Sequence, residues 1–311
     1  MAKPVLMVGQ PLLAPLLPLL RPAYDVMPLW EEPDGETLAR VDAVVWAGEF
    51  PLERALLDRM PSVRLIACFT VGYDGVDLAL ARERGIAVAH GGSANAEDVA
   101  DHAIGLMISH RRWIVEGDRH LREGRWTIET KTRTHSMRSA RLGIVGMGSI
   151  GIAAAERAQA MKMTVGWWGP REKPGLGWPR ADSLIALATD SDILLVACRA
   201  DDSNRGLIDT AILDALGPQG LLVNVARGQL VQEDALIAAL KAGRLGGAAI
   251  DVFDPEPTDP VRWRGVPNVI LTPHTGGATH EAVARMTETL MGNLAAHFSG
   301  QPLPQPVPEM A

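Results

Sequence analysis

The stretch Leu142-Gly-Ile-Val-Gly-Met-Gly-Ser-Ile-Gly151 limits the possible folds more than any other part of the chain. Leu142 to Val145 is an apolar run long enough for a buried strand. Gly146, Gly148 and Gly151 then spell G-x-G-x-x-G, and the alanine-rich Ile152–Met161 continues as a helix. Gly146 permits the tight turn, Gly148 lets the backbone approach a pyrophosphate, and Gly151 lets helix and strand pack closely. The phosphates then sit at the helix N-terminus, where unpaired N–H groups and the helix dipole favour negative charge. A glycine-rich turn alone could imitate this pattern. With a strand before it, a helix after it and a second apolar run at Met163–Trp168, it reads as a βαβ unit that binds a dinucleotide.

Apolar runs and helical periodicities alternate on both sides of this block. Before it, Val5–Val8, Tyr24–Met27, Ala43–Trp46, Leu65–Phe69 and Gly85–Val88 read as strands, with helices at Leu52–Arg59 and Val76–Glu83. A long helical pattern runs from Asn95 to about Val115, with Val99, His102, Ala103, Leu106 and Met107 at helical spacing. After the block, strands are expected at Ile193–Ala197, Leu221–Val225, Ala248–Val252 and Val269–Leu271. Helices are expected at Ser183–Ala188, Thr210–Leu216, Glu233–Ala242 and His280–Phe298. Such alternation predicts an α/β fold of parallel sheets covered on both faces. A dinucleotide motif that begins in mid-chain implies a preceding domain. We therefore expect two doubly wound domains: a flavodoxin-like substrate domain (1–96 plus 283–311) and a Rossmann dinucleotide-binding domain (97–282).

Composition narrows the function. A net charge of −7 gives no electrostatic support for binding nucleic acid or an anionic membrane. Cys68 and Cys198 both lie in apolar runs, and no Cys/His spacing suits zinc, so a reducing cytoplasm is expected and no metal. The apolar Pro11–Leu20 carries three prolines and resembles neither a signal peptide nor a membrane span.

Five blocks together resemble the D-2-hydroxyacid dehydrogenase family, in its glyoxylate/hydroxypyruvate and hydroxyphenylpyruvate reductase branch. They are Val71-Gly-Tyr-Asp-Gly-Val-Asp77, Ala96-Glu-Asp-Val-Ala-Asp101, the glycine block, Asn224-Val-Ala-Arg-Gly228, and Asp251-Val-Phe-Asp-Pro-Glu-Pro257 with Leu271-Thr-Pro-His-Thr-Gly-Gly277. They fall in the family's order over Val71 to Gly277. The resemblance implies reduction of a small 2-oxo acid to a 2-hydroxy acid by hydride transfer. It makes His274 the general acid, a role suited to a side chain that titrates near neutrality. Glu256 becomes its carboxylate partner, and Arg227 the planar fork that grips the substrate carboxylate. Backbone N–H groups of Val71 and Gly72 would meet the same carboxylate, and Trp46-Ala-Gly-Glu-Phe50 would line the same cleft. For the cofactor, the resemblance implies Met147, Gly148, Ser149 and Ile150 at the pyrophosphate, Val225 and Ala226 alongside, and Asp251 near the nicotinamide carboxamide.

An NAD-preferring site places Asp or Glu at the end of the second strand of the fold. Here that end reads Trp168-Gly-Pro-Arg-Glu-Lys173. Pro170 and Arg171, with Lys173, form a basic turn that could hold a 2′-phosphate, so NADP is expected over NAD. In the alternative, Glu172 reaches back to the ribose. The resemblance places Trp113 and Trp126 at a homodimer interface, and His102, His110 and His120 are read as ordinary helix residues. Competing readings are a bulkier substrate, such as hydroxyphenylpyruvate or a 2-keto sugar acid, and a dinucleotide-sensing regulator without catalysis. Phosphoglycerate oxidation is disfavoured because no regulatory domain follows Gly300.

Overall fold

Short, fully apolar runs build both sheets. Val5–Val8 (β1), Asp25–Pro28 (β2), Ala43–Trp46 (β3), Leu65–Cys68 (β4) and Ala87–Ala89 (β5) pair in parallel in the order β2-β1-β3-β4-β5. Every residue of β1, β3 and β4 is buried, as expected of strands covered on both faces. The computed structural model describes residues 3–129 and 133–310. It divides into two units, one reaching to Asn95 and resuming at His280, the other spanning Ala96–Thr279. The first sheet belongs to the first unit and has the flavodoxin-like strand order.

The second unit carries Arg141–Val145 (β6), Thr164–Trp168 (β7), Ile193–Val196 (β8), Leu221–Asn224 (β9), Gly247–Ile250 (β10) and Val269–Leu271 (β11). All pair in parallel, in the order β11-β10-β9-β8-β6-β7. Beyond β7, Arg180 makes a single parallel bridge to Trp167. That bridge stands where an edge strand would complete the usual six-stranded dinucleotide-binding order. Since all strands run the same way, the loops after β6, β9, β10 and β11 emerge at one edge. Those loops hold the candidate site.

Helices of eight residues or more are α1 (Ala96–Arg111), α2 (Ile114–Arg122), α3 (Ser149–Ala160), α4 (Glu233–Lys241) and α5 (His280–Phe298). In the second unit α1 packs on α3 through small side chains, among them Ala100, Ala103, Ala154 and Ala158. Ala282, Met286, Leu290 and Leu294 recur every four residues along α5 and are buried in the core of the first unit.

One long helix breaks where the sequence reading runs on. The long helix expected to reach Val115 stops at Arg111, and Trp113 takes a left-handed φ of 56° before α2 restarts. Neither glycine nor proline marks that break. The proline-bearing Pro11–Leu20 stretch forms a 3-10 segment followed by one α-turn. Pro11 and Pro18 start turns, where a missing N–H is harmless, and Leu13, Leu16 and Leu20 are buried. Among the described residues, no helix is long and apolar enough to cross a membrane.

Candidate active site

The turn after β6 satisfies the requirements of a dinucleotide cradle. Gly146 has a φ of 96°, and a Cβ there would fall 2.5 Å from Cys198 Cα. At Gly151 a Cβ would lie 2.2 Å from the Gly146 carbonyl oxygen, so only glycine lets α3 approach β6 this closely. Gly148, the residue capping α3, faces open space, with nothing within 4 Å of a Cβ built there. A tight turn, a close contact and a bare backbone at a helix N-terminus together fit a pyrophosphate. Ser149 is exposed and Ile150 half-buried, whereas the Met147 side chain is buried in the core. Met147 can therefore meet a ligand only through its main chain, and its carbonyl already accepts a 2.7 Å hydrogen bond from Lys173 Nζ.

That lysine belongs to the turn after β7. Pro170, Arg171 and Glu172 are exposed beside it, and no acidic side chain ends the strand. The turn is anchored by Arg180, whose Nη2 donates to the Gly169 carbonyl at 2.8 Å.

After β9, Asn224 is completely buried and shapes the next loop. Its Oδ1 accepts from Ala226 N at 3.1 Å, and its Nδ2 donates to the Arg227 carbonyl at 2.9 Å. Val225 and Ala226 are buried. Gly228 presses on the loop after β10, where a Cβ would lie 1.9 Å from the Phe253 carbonyl carbon. The arginine loop and the loop bearing Glu256 are thus in direct backbone contact. Arg227 donates to the Ala226 carbonyl, and its charge acts on both Glu256 and His274.

Glu256 and His274, 18 residues apart in the chain, meet through a 2.7 Å bond between Oε2 and Nδ1. The other carboxylate oxygen accepts from Phe253 N at 2.8 Å. The hydrogen bond from Glu256 holds the His274 imidazole above its ordinary pKa, against burial and the Arg227 charge. Burial pushes the Glu256 carboxyl up, but the bonds from His274 and Phe253, with the charges of His274 and Arg227, bring it below the usual range. The pair therefore favours imidazolium against carboxylate. His274 Nε2, the nitrogen not bonded to Glu256, is the one left to face a reactant. The Asp254 N–H, two residues before Glu256, donates to the buried Glu233 at 2.8 Å and fixes that loop from behind.

Asp251 follows β10 and lies buried against the turn that carries His274. Its side chain is only 2% exposed. It accepts from Thr275 N at 3.0 Å, from Gly276 N at 2.9 Å and from the Thr272 hydroxyl. Burial raises its pKa, but the hydrogen bonds from His102, Thr272, Thr275 and Gly276 bring it down to about 2. The carboxylate thus sits as a permanent anion beneath the His274 turn. Nothing in the local sequence signals this, because Thr272 and Gly276 read as an ordinary strand-end turn.

In the first unit, Val71 and Gly72 follow β4. Thr70 Oγ1 accepts from Gly48 N at 2.8 Å and lies 2.7 Å from Glu49 Oε2. Trp46 Nε1 donates to the Phe50 carbonyl at 2.8 Å. The 46–50 and 70–72 loops are thereby joined into one surface at the carboxyl ends of β3 and β4.

Residues 104–276 match the family model described as D-isomer specific 2-hydroxyacid dehydrogenase, NAD binding domain. The chain is 40% identical over 267 residues to hydroxyphenylpyruvate reductase of Plectranthus scutellarioides, covering 86% of this chain and 85% of that one. It is 37% identical over 293 residues to a glyoxylate/hydroxypyruvate reductase of Arabidopsis thaliana, covering 93% and 94%. Among solved structures, an NADPH-dependent glyoxylate/hydroxypyruvate reductase from Sinorhizobium meliloti, in complex with NADP and malonate, superposes with a TM-score of 0.91 at 33% identity. That match covers 99% of this chain and 98% of the other.

Proposed function

The chain belongs to the D-2-hydroxyacid dehydrogenase family, in its glyoxylate/hydroxypyruvate reductase branch, and from that premise we propose how its residues reduce a 2-oxo acid. His274 is the general acid, giving its Nε2 proton to the carbonyl oxygen as that oxygen gains negative charge. Glu256 keeps the ring charged and fixes its orientation. Arg227 binds the substrate carboxylate and polarises the ketone, for which its planar fork suits it better than a lysine would. In the first unit, the main-chain N–H groups of Val71 and Gly72 are donors of the kind that a carboxylate accepts. The reduced nicotinamide, when bound, supplies the hydride. The observation that carries this reading is the 2.7 Å bond between His274 and Glu256, with the Arg227 charge acting on both.

NADP is preferred over NAD in this reading. Support comes from the exposed Arg171, from Lys173 beside the glycine turn, and from the lack of an acid at the end of β7. Asp251 stands near the nicotinamide carboxamide in this reading, and its hydrogen bonds to Thr275 N and Gly276 N brace the His274 turn. Glyoxylate and hydroxypyruvate are the favoured substrates, and hydroxyphenylpyruvate is the second reading, favoured by the 40% identity to a reductase of that compound. The protein works as a homodimer, for which the unburied apolar residues of α2 argue. Its unpaired cysteines suit the cytoplasm. The test is NADPH and NADH oxidation with a panel of 2-oxo acids. Rapid turnover of glyoxylate or hydroxypyruvate with NADPH is expected. Tight cofactor binding without turnover of any 2-oxo acid would refute catalysis.

A further inference from the structure

His102 lies on α1, among the residues that face the core of the second unit. Val99, Ala103 and Leu106 around it are buried, yet its own side chain is polar. Its Nε2 lies 3.1 Å from Thr272 Oγ1 and 3.3 Å from Asp251 Oδ1. With the proton on Nε2, a directed chain results: His102 donates to the Thr272 hydroxyl, and that hydroxyl donates to Asp251. The ring also packs against Gly276, where a Cβ would stand 3.3 Å from His102 Cδ2 and 3.0 Å from Asp251 Oδ2.

The far end of this chain is the backbone that presents His274. His274 has a left-handed φ of 54°, which a residue with a side chain keeps only when its surroundings enforce it. Three successive N–H groups do so here, all bonded to Asp251. His274 N donates to its carbonyl oxygen at 2.8 Å, Thr275 N to Oδ1 and Gly276 N to Oδ2. Two of these three bonds fall on the carboxylate, which can hold the Thr275 and Gly276 donors only while it is itself held in plane. The hydrogen bonds that remain to do that come from Thr272 and, behind it, His102.

We propose that His102 is a positioning residue of the reductase, fixing through Thr272 and Asp251 the turn that aims the His274 ring at its proton acceptor. This rests on the reading of His274 as proton donor. His102 touches none of the reacting atoms in this scheme; it acts from α1, 172 positions earlier in the chain. A histidine meets the requirement because its ring reaches Thr272 from a helix, offers one N–H and still lies close against Gly276.

The test compares His102→Leu with His102→Gln, whose side-chain amide can place a donor near the position of Nε2. For His102→Leu, kcat should fall on the order of 10- to 100-fold, as misplaced reacting groups cost, while the cofactor KM stays unchanged. The fall of kcat with rising pH should also move to lower pH. The groups acting on His274 are Glu256, Arg227 and Asp251, and a loosened turn weakens chiefly the Glu256 bond. His102→Gln should restore most of both properties. If the leucine variant does not fold, His102→Met removes the donor with a more adaptable side chain and carries the same prediction. An unchanged kcat and pH profile in the variant lacking a donor, or a glutamine variant as impaired as that one, would overturn the proposal. His274→Ala measured in parallel separates the two claims. Normal turnover there refutes His274 as the acid, whereas a dead His274→Ala beside a normal His102→Leu refutes the positioning role alone.

Discussion

Arg171 and Lys173 act by different means, although both belong to one basic turn. Lys173 spends its ammonium on the Met147 carbonyl, fastening the turn after β7 to the glycine turn. Arg171 is exposed, and its guanidinium can grip a phosphate with two parallel bonds. A charged hydrogen bond contributes about 1.5–3 kcal/mol, so Arg171→Ala should raise the KM for NADPH roughly 10- to 100-fold. The KM for NADH should barely change. Equal effects on the two cofactors would refute the phosphate assignment. Much of this scale was legible in the sequence: the glycines, the basic turn, and the resemblance that paired Glu256 with His274. The supports were not. Asn224 folding back on Ala226 and Arg227, Glu233 behind Asp254, and Asp251 under three amides all depend on contacts that no local spacing announces.

At the scale of elements, the candidate site is a set of loops held at fixed spacing by the parallel strands β6, β9, β10 and β11. Gly228 is where two of those loops touch, and its missing side chain sets their separation. Gly228→Ala would place a methyl group 1.9 Å from a backbone carbonyl carbon, which no side-chain adjustment can relieve. Overpacking of this kind costs about 1–3 kcal/mol. We expect a lower Tm by thermal unfolding and a fall in kcat as the Arg227 and Glu256 loops move apart. A variant with unchanged Tm and kcat would show that the contact is dispensable. Strands were readable because four consecutive buried apolar residues leave little alternative. The break between α1 and α2 was not, since Trp113 adopts a conformation usually left to glycine or asparagine. Pro11–Leu20 likewise hid its turns, because proline suppresses a helix reading even where it starts one.

For the molecule as a whole, the informative surface is α2 and the segment after it. None of its residues is buried within the chain, yet Ile114 is 52%, Leu121 61% and Trp126 59% exposed. Exposed apolar residues on this scale are what the proposed homodimer would bury. Sedimentation should give the mass of a dimer for the native chain, and Ile114→Glu with Leu121→Glu should reduce it to that of a monomer. A native monomer, or a variant still dimeric, would contradict this assignment.

Glu256 keeps His274 charged so that it can deliver a proton, and the pH dependence of kcat reads that charge. The pairing holds the imidazole above its ordinary pKa, so reduction should be fully active below that raised value and decline as pH climbs through it. In Glu256→Gln the carboxylate charge is gone while the shape is nearly kept. The decline should then move to lower pH, with a loss of kcat at neutral pH. A decline that stays where it is in the native enzyme would contradict it.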